Sequence, residues 1–291
     1  MERERVYKKM ILYKIVTYMQ KITFIALLTV SVINAQKTYE VFPDDLNVQP
    51  FTANFLEPKL GFLFNTNNKS LRLDVGNSLD VFRKHLNENE VIAFGADLFT
   101  YSRLRSEKDF KFPVETIDYL FGLNFTYKKT TDHLEYGARF RLSHISAHLV
   151  DGWYNKSNSE WIDNQVPFVF SKEFLELMPY IKYLGVRVYA GIAYNYHIEP
   201  KILGSGNYQI GFDYFYADFL ENFFPFIGYD FRYTDITKYE PIHSFSVGIK
   251  TGKMNGKGFS IYLNYYSGKS IHGEFFNHNV SNSSIGFNLD L

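Results

Sequence analysis

Tyr136-Gly137-Ala138-Arg139-Phe140-Arg141-Leu142-Ser143-His144-Ile145-Ser146-Ala147-His148 alternates with period two over its whole length. In an extended strand, successive side chains point to opposite faces. One face of this stretch carries Ala138, Phe140, Leu142, His144, Ser146 and His148, and the other carries Arg139, Arg141 and Ser143. Arginines facing a wet interior and aromatics facing a greasy exterior describe a strand of a membrane barrel. The greasy row ends in His-x-Ser-x-His, a run capable of chemistry.

Similar rows recur along the chain. Ile117, Tyr119, Phe121, Leu123, Phe125 and Tyr127 oppose Asp118, Gly122, Asn124 and Thr126. Val186, Val188, Ala190, Ile192, Tyr194 and Tyr196 oppose Arg187, Gly191 and Asn195. Further rows run through Ile210 to Tyr216, Tyr229 to Tyr233, Phe259 to Tyr265 and Ile285 to Leu291. Strands of soluble sandwiches alternate too. Here, however, Tyr and Phe crowd the outer rows near their ends, in the manner of an aromatic girdle. With 29 Phe and 23 Tyr in 291 residues, the chain is rich in strand-forming, interface-seeking side chains.

Export is read from the N-terminus. Ile22 to Ile33 is a short apolar run preceded by Lys21 and followed by Asn34-Ala35-Gln36. That pattern is a secretory signal peptide, and the run is shorter than the ~20 residues a spanning helix needs. We place cleavage after Ala35, so residues 1–35 are the signal; Met19 would open a more compact one. Losing six basic and two acidic residues leaves 25 basic and 29 acidic, a net of −4. This balance argues against a nucleic-acid partner, which calls for a basic patch. The absence of cysteine excludes disulfides and a lipidated N-terminal cysteine.

The domain reading is then a signal peptide over 1–35, a periplasmic lead-in over 36–59 and a barrel over 60–291. Pro43, Pro50 and Pro58 discourage regular pairing in the lead-in. About 255 residues remain after cleavage, and a membrane strand takes about 9–11 residues plus its turn. The expected fold is an all-β, transmembrane antiparallel barrel of about 12 strands, within a range of 10–14, in the bacterial outer membrane.

Val41-Phe42-Pro43-Asp44-Asp45 and Pro50-Phe51-Thr52-Ala53-Asn54-Phe55-Leu56-Glu57-Pro58-Lys59 resemble a family of bacterial outer-membrane proteins known as domain of unknown function 1207. The resemblance resumes at Ile117-Asp118-Tyr119, His144-x-Ser146-x-His148-Leu149 and Tyr189-Ala190-Gly191-Ile192-Ala193-Tyr194. Ala147 stands where the family pattern has a second Ser, and Val150-Asp151-Gly152 keeps only the Asp of a Gly-Asp-Glu. The resemblance implies an outer-membrane barrel and no activity. Locally, His144-x-Ser146 is similar to the pair that outer-membrane phospholipases and lipid A deacylases carry on the lipid-facing side of a strand.

A serine becomes nucleophilic only beside a base. Ser146 is the candidate nucleophile, His144 the candidate base, and outer-membrane lipid the candidate substrate. His148, Asp151, or an Asn or Asp of a neighbouring strand could orient the imidazole. Trp153 and Trp161 follow in a long polar loop and, as interface-seeking residues, place this end of the strand at the outer boundary. Asp151, Glu160 and Asp163 offer oxygens to Ca²⁺ but lack a defined ligand spacing. The competing reading makes His144, Ser146 and His148 the point where the strand leaves the membrane, with a bulge turning them inward. Arg139, Arg141 and Arg187 are read as lumen-lining charges balanced by acids such as Asp118 and Asp230. Their functional reading is a pore constriction. The alternatives to an acyl hydrolase are therefore a narrow channel, a lipid-handling barrel or an envelope scaffold.

Overall fold

The computed structural model describes Lys21, residues 38–217 and residues 219–291. Apart from Lys21, the expected signal peptide and its cleavage after Ala35 lie outside these residues. One compact unit, Val41–Leu291, contains the barrel.

Period-two patterning resolves into twelve strands. They are β1 (Leu60–Asn65), β2 (Ser70–His85), β3 (Glu90–Arg105), β4 (Val114–Thr130), β5 (Leu134–Leu149), β6 (Phe170–Tyr183), β7 (Val186–Glu199), β8 (Gly206–Phe215), β9 (Phe223–Asp235), β10 (Tyr239–Gly252), β11 (Gly258–Lys269) and β12 (Asn279–Asp290). Each pairs antiparallel with the next, and β12 pairs with β1 to close the ring. Closure removes the unpaired edge, which lipid cannot hydrogen-bond. The connections at the end where β1 starts run two to seven residues; those at the other end reach twenty, in the β5–β6 loop 150–169. Short turns beside the termini and long loops opposite follow the periplasmic and extracellular ends of outer-membrane barrels.

The faces are those of the alternating rows. On the β4–β5 wall, Phe121 pairs with His144, Leu123 with Leu142 and Phe125 with Phe140, all facing out. Between them, Asn124 pairs with Arg141 and Thr126 with Arg139, all buried. Inward glycines make room for large neighbours: a side chain at Gly191 would collide with Met178, and one at Gly211 with Tyr189.

The lumen is filled, and the filler is the segment read above as a periplasmic lead-in. Residues 47–58 lie inside the barrel. Asn47 donates to Thr126 Oγ1 at 3.0 Å, and Thr52 N–H to Asp213 at 3.2 Å. Arg187 donates to the carbonyls of Gln49 and Pro50 at 2.7 and 2.6 Å, and Arg232 donates to Asn54 at 2.5 Å. Phe51 is fully buried, with the Arg139 and Arg187 guanidiniums 4.8 and 4.5 Å from its ring centre. The prolines that forbid strand pairing here suit a chain whose backbone bonds to lumen side chains instead. The segment separates two lumen cavities of about 400 and 170 Å³.

The long-loop end is covered as well. Trp153 is buried and packs edge-on against Phe275, with the Arg103 guanidinium 5.0 Å from the Phe275 ring. Leu149 N–H donates to Glu274 at 3.2 Å, and Gly273 N–H to Asp118 at 2.7 Å. Trp153 is therefore part of a cap over the barrel mouth, not a marker of the membrane interface as the sequence suggested. Its indole found a packed aromatic partner in a loop far along the chain.

Candidate active site on the outer face of the barrel

β5 is regular to its end. Its inward row is Gly137, Arg139, Arg141, Ser143, Ile145, Ala147 and Leu149, all buried. No bulge turns the other row inward, so His144, Ser146 and His148 face out. The reading that sends them into the lumen is corrected here.

The group that orients His144 comes from β6. Glu173 is the cross-strand partner of His144, and its Oε1 lies 2.6 Å from His144 Nδ1. Ser171, opposite Ser146, donates to the same oxygen at 3.2 Å. The second oxygen of Glu173 is 2.5 Å from Nδ1 of His197 on β7. Phe121 supports the His144 ring from the other side, with ring centres 4.7 Å apart. About a quarter of the His144 and Glu173 side chains remains exposed, so the pair is reachable from outside the barrel.

A neutral imidazole that donates from Nδ1 presents Nε2 as its acceptor. Ser146 stands two residues farther along the same face, about 6.6 Å along the strand. A hydroxyl, an imidazole and a carboxylate thus share one face, with the carboxylate on the imidazole and, among the described residues, no hydrogen bond from the Ser146 hydroxyl to His144. All three sit near the long-loop end of their strands, with Tyr119, Tyr194 and Tyr196 exposed around them. Such tyrosines suit the membrane–water boundary.

The other candidates separate from this group. His148 faces out with its ring against Tyr119, 5.7 Å between centres, and its carbonyl accepts from the Thr116 hydroxyl at 3.1 Å. Asp151 lies exposed in the 3-10 turn Asp151–Trp153 after β5, and the carboxylate that meets the His144 imidazole is Glu173 instead. Asp151, Glu160 and Asp163 do not converge: among the described residues, no group of three or more His, Cys, Asp or Glu side chains could hold a metal ion.

Arg139, Arg141 and Arg187 do face the lumen, with partners other than those expected. Glu57 of the filling segment takes Arg139 on both oxygens, at 2.7 and 2.5 Å, and Arg141 at 3.0 Å. Asp97 holds Arg141 at 2.9 Å and Asp213 holds Arg187 at 2.6 Å. Asp118 binds His272, and Asp230 binds Tyr189 and Arg232. The constriction expected from these arginines is occupied by the chain's own residues.

Sequence reasoning missed Glu173 and His197. The signal for Glu173 was present: in Phe170–Tyr183 the outward row Leu175, Leu177 and Ile181 is apolar, and Glu173 extends it with a charge. A carboxylate on a lipid-facing row is costly and points to function. His197 carried no such signal, because it faces out only through a register shift between Asn195 and His197.

Comparison with curated proteins finds no match. Among solved structures, outer membrane phospholipase A from Escherichia coli superposes with a TM-score of 0.52 at 13% identity, covering 83% of this chain and 95% of that one. The Salmonella typhi outer membrane phospholipase dimer with bound calcium gives 0.51 at 16% identity, covering 80% and 89%. These likenesses establish the outer-membrane barrel fold. A family model matches residues 121–290, more than half of the chain, and the chain belongs to that family, described as protein of unknown function (DUF1207).

Proposed function

We propose that this barrel is a lipid acyl hydrolase of the outer membrane, with Ser146 as nucleophile, His144 as general base and Glu173 as the group that orients it. The observation that carries the reading is the 2.6 Å contact between His144 Nδ1 and Glu173 on the outward face. A lumen group would have no reason to display this pair to lipid, and a strand merely leaving the membrane would not need the carboxylate. The likeness in fold to phospholipases agrees with it and does not carry it.

The reaction follows from the residues. Ser146 Oγ attacks the ester carbonyl carbon while its proton passes to His144 Nε2. Collapse of the tetrahedral adduct breaks the bond to the alcohol oxygen. The alcohol leaves with the proton from His144, and the acyl group stays on Ser146. Water then adds to the acyl carbon as His144 takes its proton; the fatty acid departs and Ser146 Oγ recovers the proton. Glu173 holds the tautomer and stabilises the imidazolium without accepting its proton. An ester in the outer leaflet reaches this face without entering the barrel.

The test is hydrolysis by purified, refolded protein of phospholipid and of lipid A, with and without Ca²⁺. Fatty acid released by the wild type and lost in Ser146→Ala and His144→Ala, with both variants folded as barrels, supports the reading. A folded wild type that releases none under any of these conditions sinks it and leaves a scaffold role. Residues 47–58, lying across the lumen, weigh against the channel reading.

A further inference from the structure

We propose that His197 is a positioning residue for this same site: it ties the second carboxylate oxygen of Glu173 so that the first stays on His144. The proposal rests on the acyl-hydrolase reading above.

Two observations carry it. The first is the bracketing of Glu173. Oε1 meets His144 at 2.6 Å and Ser171 at 3.2 Å, and Oε2 meets His197 at 2.5 Å, so donors occupy both oxygens. The second is the backbone of β7. Along this strand Arg187, Tyr189, Gly191 and Asn195 face the lumen. Uninterrupted alternation would send His197 inward after Asn195. The register shifts between Asn195 and His197, leaving Tyr196 and His197 both exposed and setting His197 opposite Glu173. Bulges of this kind re-aim side chains beside active sites.

The physical need is plain. A glutamate side chain has several rotatable bonds and loses that rotamer freedom when fixed. Held by one oxygen, its carboxylate can turn about that contact and carry the imidazole with it. Held by both, it is confined. The second imidazole also supplies a donor to a carboxylate that lipid cannot solvate. Ser146 and its base lie on β5, the carboxylate on β6 and its tether on β7, so the site spans three adjacent strands.

The experiment is steady-state hydrolysis of phosphatidylethanolamine in mixed micelles by His197→Ala, His197→Gln, Glu173→Ala and the His197→Ala/Glu173→Ala double variant. Each is first checked for barrel folding by heat-modifiable gel mobility. The proposal expects His197→Ala to lower kcat about tenfold at unchanged KM. His197→Gln, which keeps a donor, should recover most of it. In the Glu173→Ala background the His197 change should cost nothing further, because its partner is gone. Equal losses in both backgrounds, or no loss in either, overturn the proposal. Turnover that needs Ser146 but ignores His197 overturns this inference alone. A folded wild type without turnover overturns the hydrolase reading and this one with it.

Discussion

Two polar clusters sit back to back on β5. Facing in, Arg139 and Arg141 meet Glu57, Asp97 and Glu176, and all five side chains are nearly inaccessible. Facing out, three residues beyond Arg141, His144 meets Glu173 and both stay partly exposed. The inner cluster joins the barrel to its own N-terminal segment. The outer one joins neighbouring strands and leaves a serine beside it with no bond to make among the described residues. Burial and matched charge mark groups that hold a structure together. A costly polar group exposed on a lipid-facing row has no such structural account, and this is the contrast on which the proposed function rests.

The comparison predicts that variants on the two faces affect different observables. The largest expected effect is on chemistry: Ser146→Ala should lower lipid hydrolysis by at least ~10³-fold, with thermal unfolding unchanged. Loss of stability in that variant would make the outer cluster structural as well. Next is Glu57→Ala, which leaves Arg139 without its bidentate partner inside the lumen. Removing one member of a buried ion pair costs about 3–5 kcal/mol, read as a lower denaturant midpoint for loss of the barrel. An unchanged midpoint would mean that the filling segment contributes little to stability.

Smaller effects sharpen the boundary. His148→Ala should change hydrolysis by less than about tenfold, because only a ring contact of under ~1.5 kcal/mol is lost. A larger loss would place His148 in the machinery. The smallest effect concerns the cap over the mouth. Burial pushes the Glu274 carboxyl up from its ordinary value, against the pull of the Leu149 and Phe168 amides. Its folded value therefore lies above its unfolded one, and its contribution fades as pH rises through the raised folded value. Glu274→Gln should flatten that decline, followed by fluorescence of the neighbouring Trp153 cap. An unaltered pH profile would remove Glu274 as its source.

The parts legible in the sequence were those governed by local alternation. The row from Ala138 to His148 has the faces the pattern assigns, and repetition of such rows gave a barrel of about the observed number of strands. Less visible was what depends on partners far along the chain. Nothing local in Pro43, Pro50 and Pro58 says that residues 47–58 fill the lumen, since that follows from Glu57 meeting arginines 82 and 84 positions away. Ser146 and His144 lie on one strand and were read together. Glu173 lies 29 positions from His144 and required the β5–β6 register. His197 required a register irregularity, which alternation by definition conceals.

The closing strand has a mechanical consequence. β1 is the shortest strand of the barrel, joined to β12 over six residue pairs and to β2 over four, whereas β3 and β4 share fifteen. It begins directly after Lys59, at the end of the lumen-filling segment. Seam and filler are thus one continuous piece of chain at the weakest join in the wall. A pull on the N-terminal side loads both at once, so the barrel yields like a drawstring pouch, with its fastening attached to its contents.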